Sequence, residues 1–142
     1  GESDICNWDE SNILSALYSF IPISFCFSLW SWLLFSEKIL SIDELQVSSS
    51  YDESKLISYL AKQFACKEAL SKAFGTGIRK PVLFKDLEIL RDEKGKPYFN
   101  PLGDVKKTII NLGITKTHVS LADESEHAIA FAILEIWKTL FY

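Results

Sequence analysis

Apolar side chains recur at helical spacing between Ser54 and Phe74, the most regular stretch of the sequence. At 100° per residue these positions form one stripe, which predicts an amphipathic helix. Gly75 and Gly77 follow directly, and glycine permits the left-handed backbone that ends many helices. The stripe consists of Ile57, Leu60, Ala61, Phe64 and Ala65.

The pattern after this helix changes to short alternating runs separated by turn residues, which predicts strands. Asn100-Pro101 resembles a cap followed by proline at the first helical position, and it predicts a helix that Gly113 ends. The last two runs flank a polar turn and predict a hairpin. The predicted strands are 84–91, 97–99, 117–122 and 127–136, with turns at 92–95 and 123–126.

The segment 11–36 contains no charged side chain. Asp9 can cap a helix running toward Phe20, and we expect helix to continue to about Leu40. Such a run is long enough to raise the question of a membrane span. However, it contains Pro22 and several serines, and it lacks the preceding basic residues of a signal peptide. We favour a buried core or subunit interface, with a membrane-associated segment as the alternative.

The order of these elements favours one domain over residues 1–142. Residues 1–6 are expected to end a short strand, and residues 48–52 are expected to form a loop. Few strands alternate with single helices, so we expect a small α+β fold with a mainly antiparallel sheet packed on the long helix. A chain of this length can bury a core without disulfides or metals.

Charge and cysteine content narrow the possible functions. The net charge of −4 and the pI near 5.2 argue against a nucleic-acid-binding protein, which would carry a basic face. The three cysteines include no C-x-x-C pair, so a zinc site is not expected. An odd number of cysteines suits a reducing, cytoplasmic location better than a disulfide framework.

Glu68 lies near the middle of the apolar stripe, with Lys72 one turn later. A carboxylate on a buried face is costly unless it is paired or bound to a cation. The alternative is an ordinary surface pair between residues four apart, worth a few tenths of a kcal/mol. Lys62 and Lys67 point elsewhere, and we expect both to be solvated.

Three further features carry candidate chemistry, each with a structural alternative. Asp4 lies at the end of the predicted first strand, where its carboxylate either belongs to a functional site or has the structural role of a turn or helix-capping residue. His118 and Ser120 share one face of their strand and Val119 takes the other, although a lone strand histidine is more often structural. Residues 75–79 offer backbone N–H groups that phosphate can bind, but a two-glycine loop after a helix is a weak motif.

Residues 59–78, YLAKQFACKEALSKAFGTGI, resemble the central motif of the holo-(acyl-carrier-protein) synthases, a family of short 4′-phosphopantetheinyl transferases. The other matching stretches follow in the family's order, and the strong similarity covers roughly residues 54–135, with a weaker match at 1–10. These stretches are KDLEI at 85–89, DEKGKP at 92–97, HVSLAD at 118–123 and SDIC at 3–6.

The resemblance implies transfer of 4′-phosphopantetheine from coenzyme A to a serine of apo-acyl-carrier protein, with release of 3′,5′-ADP. It assigns Asp4 and Glu68 to Mg²⁺, with Lys72 as the third catalytic residue. It places His118, and with it Ser120, at the coenzyme's phosphates. It assigns Gly75, Thr76 and Gly77 to the nucleotide pocket. It also implies a homotrimer with sites between subunits, in fatty-acid or another carrier-dependent metabolism.

The front of the chain departs from this family. Glu2-Ser3 replaces the usual small pair, and no basic residue lies between Ile5 and Ser36, where the family carries carrier-docking arginines. Arg79, Lys80 and Lys85 are candidate replacements. The main alternative is a non-catalytic relative that binds coenzyme A or a carrier protein. A second alternative is a membrane-associated protein anchored by residues 11–36.

Overall fold

The computed structural model describes residues 11–22, 29–124 and 126–137, with side chains described for 33–124 and 126–136. Within these ranges helices and strands are mixed along the chain. In chain order the elements are β1 (Ser11–Pro22), α1 (Leu29–Ile39), α2 (Ile42–Ser48), α3 (Glu53–Phe74), a 3-10 turn (Phe84–Asp86), β2 (Leu87–Arg91), β3 (Pro97–Pro101), α4 (Gly103–Leu112), β4 (Ile114–Asp123) and β5 (His127–Trp137).

The strands form two antiparallel sheets, one with the order β1-β5-β4 and the other consisting of β2 and β3. The predicted hairpin is β4 and β5, and both strands are longer than expected. The α+β prediction is confirmed, although the strands divide between two sheets instead of forming one.

Small side chains bring the long helix close to the larger sheet. The inward positions of β5 carry alanine at three alternate residues, and α3 presents alanine at every fourth position. Methyl groups on both surfaces allow helix and sheet backbones to approach closely, so that the core is thin at this point. The buried alanines are Ala128, Ala130 and Ala132 on β5 and Ala61, Ala65, Ala69 and Ala73 on α3.

We expected the uncharged segment to form one continuous helix, and this prediction is wrong. Its first part is β1, which pairs with β5 from Ser11 opposite Trp137 to Pro22 opposite His127. A later part, which begins at Leu29, is helical and belongs to α1. An apolar run without periodicity is compatible with either structure, and here pairing with the distant β5 decides. Asp9, the predicted cap, and the predicted strand at 1–6 lie outside the described residues.

Two details around the β2–β3 hairpin differ from prediction. The strand expected to alternate begins later, at Leu87, and Leu87, Glu88 and Ile89 are buried in succession. Asn100 and Pro101 are not a helix start, because both belong to β3. Asn100 lies opposite Glu88 and donates a hydrogen bond to its carboxylate at 2.6 Å.

Helix α2 was not predicted, and its start carries a capping box. Ser41 Oγ accepts from the Glu44 amide at 3.2 Å, and the Glu44 carboxylate accepts from the Ser41 amide at 2.8 Å. The predicted loop then follows, and its last residue, Asp52, caps α3 by accepting from the Lys55 amide. No helix in the described part of the chain is long and apolar enough to cross a bilayer.

Candidate active site

Three predicted site residues lie on successive turns at the end of α3. Glu68 is half-buried, Lys72 one turn later is exposed, and Gly75 ends the helix in the left-handed conformation with φ of 80°. Burial raises the pKa of the Glu68 carboxyl, and the Lys72 ammonium partly opposes this shift. A carboxylate in this setting gains from a nearby cation, as the apolar stripe predicted.

In the glycine loop after α3, the first three backbone amides donate hydrogen bonds to the end of the helix. The amide of Gly75 donates to the Lys72 carbonyl, and the amides of Thr76 and Gly77 donate to the Ser71 carbonyl. The idea that this loop exposes backbone N–H groups to phosphate is therefore wrong for these three amides. The loop instead gives a narrow turn between Lys72 and the exposed Arg79.

His118 and Ser120 both lie on the exposed face of β4, while Val119 packs against the core, as predicted. His118 has a partner that the sequence did not reveal. Its Nε2 lies 3.3 Å from Glu135 Oε2 on β5, and the His118 side chain remains 54% exposed. The contact restrains the imidazole ring on the exposed face of β4.

Asp123 connects β4 to the first half of α3. Its carboxylate accepts a hydrogen bond from Ser58 Oγ at 2.6 Å and lies 3.7 Å from Lys62 Nζ. His118 is five residues back along the strand, or about 16 Å at the usual rise. Glu68 is six residues beyond Lys62, or about 9 Å along the helix. Asp123 thus joins β4 to the first half of α3, at a position well removed from both His118 and Glu68.

Lys67 is not solvated, so the prediction for this residue is wrong. Its side chain is fully buried and forms an ion pair with the equally buried Glu44 at 2.6 Å. Its ammonium also donates to the carbonyl oxygens of Ile39 at 2.6 Å and Phe84 at 2.9 Å. Lys62 is closer to expectation, since its side chain is 23% exposed. Spacing alone could not identify Glu44, which lies 23 residues away.

Among the described residues, the predicted Mg²⁺ site is represented by one carboxylate, that of Glu68. Mg²⁺ is usually held by one or two carboxylates together with substrate phosphates and water. Nowhere in the described ranges do three or more His, Cys, Asp or Glu side chains form a metal-binding group. Glu68 supplies one suitable carboxylate, and the other predicted ligand, Asp4, lies outside the described residues.

Comparison with known proteins identifies the family to which this arrangement belongs. The sequence profile described as the 4′-phosphopantetheinyl transferase superfamily matches residues 28–132. A holo-[acyl-carrier-protein] synthase of Vibrio vulnificus (strain YJ016) is 42% identical over 105 residues, which cover 74% of this chain and 82% of the relative. The chain belongs to the holo-[acyl-carrier-protein] synthase family. This membership confirms the predicted family and its class of enzyme.

Solved structures of this family share the fold. The crystal structure of holo-ACP-synthase from Plasmodium yoelii has a TM-score of 0.76 at 29% identity, covering 89% of this chain and 97% of the other. A synthase from Bacillus anthracis, in complex with CoA (3′,5′-ADP), has a TM-score of 0.70 at 32% identity, covering 87% and 97%. The holo-[acyl-carrier-protein] synthase fold thus extends over the described sheets and helices.

Proposed function

We propose that this protein is a Mg²⁺-dependent transferase that moves 4′-phosphopantetheine from coenzyme A to a serine of apo-acyl-carrier protein and releases 3′,5′-ADP. The observation that carries the proposal is the half-buried Glu68 carboxylate one turn before the exposed Lys72, in a chain of this family. The CoA complex of the Bacillus anthracis relative supports coenzyme A as the donor.

The residues would divide the work as follows. The carrier serine oxygen attacks the β-phosphorus of coenzyme A, the bond to 3′,5′-ADP breaks, and the serine proton leaves to water or to Glu68. Glu68 and Asp4 would hold Mg²⁺, which neutralises charge on the pyrophosphate when bound. Lys72 would add positive charge where the transition state gathers negative charge.

The remaining predicted residues would bind the coenzyme. His118, restrained by Glu135, and Ser120 present polar groups on the open face of β4, where the coenzyme's phosphates can reach them. Gly75, Thr76 and Gly77 would bound the nucleotide through the shape of their turn, because their amides already bond the helix end.

Carrier docking requires positive charge, because the carrier partner implied by the family resemblance presents an acidic face. Arg79, Lys80 and Lys85 are all exposed and follow the glycine loop closely. We propose that these three residues replace the basic helix that the front of the chain lacks. A non-catalytic relative that binds coenzyme A without transfer is the second candidate, because no basic residue lies between Ile5 and Ser36.

We also propose that the chain forms a homotrimer. Phe131 is exposed on the outer face of β5, flanked by the partly exposed Ile129 and Ile133. An apolar sheet face of this kind is typical of a subunit contact. A neighbouring subunit would also help so small a domain to enclose a large coenzyme.

The deciding experiment incubates the protein with coenzyme A, Mg²⁺ and an apo carrier protein and then weighs the carrier by mass spectrometry. We expect the carrier to gain one phosphopantetheine and expect chelation of Mg²⁺ to prevent the gain. Glu68→Gln should lower the rate by about 100-fold or more, equivalent to about 2.7 kcal/mol of transition-state stabilisation.

Glu53→Gln, at an exposed position in the first turn of the same helix, is the matched control and should retain full activity. A carrier of unchanged mass, beside a working control enzyme, would favour the non-catalytic candidate. Normal activity of Glu68→Gln would show that the metal is bound elsewhere.

A further inference from the structure

Lys67, the residue before Glu68 on α3, forms an ion pair with Glu44 on α2. All three N–H groups of the Lys67 ammonium have an acceptor, namely Glu44 and the carbonyls of Ile39 and Phe84. One side chain of α3 therefore connects the end of α1, the start of α2 and the turn before β2. Both members of the pair are fully buried.

Glu44 completes this connection from the other side. Its Oε1 also accepts from the Ser41 amide, and its Oε2 accepts from the Ile89 amide at 3.2 Å. Gln63, which is 3% exposed, donates to the same Oε2 and to the Ile89 carbonyl at 3.0 Å. Gln63 and Lys67 are one turn apart, so α3 is attached to Glu44 at two successive levels.

Two such attachments fix the rotation of a helix about its axis. Hydrogen bonds are directional, so these attachments add a directional constraint to the apolar packing of α3, which includes Leu60, Leu70 and Phe74 as well as the alanines. Glu68 follows Lys67 by 100°, so its direction is set once Lys67 is fixed. Lys72 is five residues from Lys67, and its direction is determined in the same way.

We infer that Lys67 is a positioning residue, which acts through Glu44 and the two carbonyls to direct Glu68 toward the metal and the coenzyme's pyrophosphate. The inference rests on the function proposed above. Stability alone does not account for the pair, because a buried ion pair can often be replaced by apolar groups without loss of stability. Removing one partner alone is different, since it leaves a buried charge without its counter-ion.

The test compares a single variant with a double variant in order to separate an effect on stability from an effect on the position of Glu68. Lys67→Met leaves Glu44 uncompensated and should lower the melting temperature. The double variant Glu44→Gln/Lys67→Met removes both charges and should recover much of that loss, but it does not restore the ammonium's bonds to Ile39 and Phe84. Lys62→Met is the control, because Lys62 lies on the same helix and its partner in the described part of the chain is Asp123, at 3.7 Å.

The readout is the affinity for coenzyme A by calorimetry, with Mg²⁺ and with Mg²⁺ chelated. We expect Mg²⁺ to strengthen the binding of coenzyme A to the wild type. The ratio of the affinity with Mg²⁺ to the affinity without it should be about 10- to 100-fold smaller in both Lys67 variants, which is the range typical of groups that orient metal ligands. Metal-free affinity and the Lys62→Met protein should be unchanged. A purely structural role predicts instead that the double variant recovers metal-dependent binding together with stability.

The outcomes also distinguish this inference from the function on which it rests. If the wild type neither loads a carrier nor binds coenzyme A more tightly with Mg²⁺, the proposed function fails. If the wild type does both, and the double variant retains the full Mg²⁺ effect, only the positioning role of Lys67 is overturned. Should neither charge variant fold, Gln63→Met removes one of the two attachments without changing charge, and an unchanged Mg²⁺ effect would overturn the inference.

Discussion

Three consecutive residues of α3 occupy three different environments. Cys66 and Lys67 are fully buried, and Glu68 is half-buried at the site. Burial outweighs the Lys67 ammonium, which would lower the thiol's pKa, and raises the pKa of Cys66 to about 12. The N–H groups of this lysine are directed at Glu44 and two carbonyls.

Cys66 should therefore be unreactive despite its basic neighbour. With a pKa near 12, only about 1 in 10,000 of these thiols is ionised at pH 8, against roughly a quarter at the ordinary value. We expect iodoacetamide at pH 8 to leave Cys66 unmodified in the native protein and to modify it in denaturant, as measured by peptide mass mapping. Comparable labelling in both states would show that the side chain is accessible.

The same shift has a consequence for stability. A thiol whose pKa is raised on folding contributes stability that is present below its unfolded pKa, about 8.5, and that is lost as pH rises toward the folded value. Part of the loss of stability above about pH 8.5 should thus disappear in Cys66→Ala, whose pH profile in this range should be flatter than that of the wild type.

The sequence predicted single residues well where the information was local. Glu68 in the apolar stripe is half-buried with a raised pKa, and His118 and Ser120 share a face. It failed for Lys67, which is buried, because the partner Glu44 is distant in sequence. Ser41, a cap residue, bonds Glu88 across 47 positions at 2.7 Å, a contact that no periodicity reveals.

At the scale of elements, the ends of α3 were predicted almost to the residue. Asp52 caps the start and Gly75 the end, and both act through local backbone chemistry that the residue type discloses. The same kind of rule misplaced Asn100-Pro101, because the pairing of Asn100 with Glu88 on β2 prevails over its preference for a cap. Strand pairing also decided β1, where the sequence contains no period.

The left-handed cap of α3 gives a prediction about stability. No atom lies within 4 Å of a Cβ added at Gly75, so Gly75→Ala introduces no clash and only forces alanine into φ of 80°. We expect a loss of about 1–2 kcal/mol in the free energy of unfolding, measured by chemical denaturation. Gly75→Asn, which tolerates this conformation better, should lose less. Equal stability of the alanine variant and the wild type would contradict the left-handed cap.

At the scale of the whole molecule, the resemblance predicted more than the patterns did. It gave the family and its class of enzyme, which the comparisons confirm. The α+β class, which the fold confirms, came from the order of the predicted elements, and the site on α3 stays a prediction. The described first strand, Ser11–Pro22, carries no acidic residue, and Asp4 lies outside the described part. The joining of Asp4 and Glu68 at one metal ion stays a prediction, because it depends on how the front of the chain reaches α3.

The larger sheet has one face against α3 and another that carries exposed apolar groups. Residues alternate along β5, so that the alanines point inward and Ile129, Phe131 and Ile133 point outward. Burial of one such side chain contributes about 1.5–3 kcal/mol, and the threefold symmetry of the proposed homotrimer would repeat that gain at every contact. This outer face is therefore where we expect neighbouring subunits to meet.

Phe131→Glu tests that expectation, because a carboxylate at the centre of an apolar contact must be desolvated without a partner. Light scattering should give three times the chain mass of 16.2 kDa for the wild type and a single chain mass for the variant, with unchanged circular dichroism. Ile110→Glu, at a site on α4 that is 76% exposed, should remain trimeric. A folded Phe131→Glu protein that still has the wild-type mass would place the subunit contact on another surface, and a monomeric wild type would remove the trimer altogether.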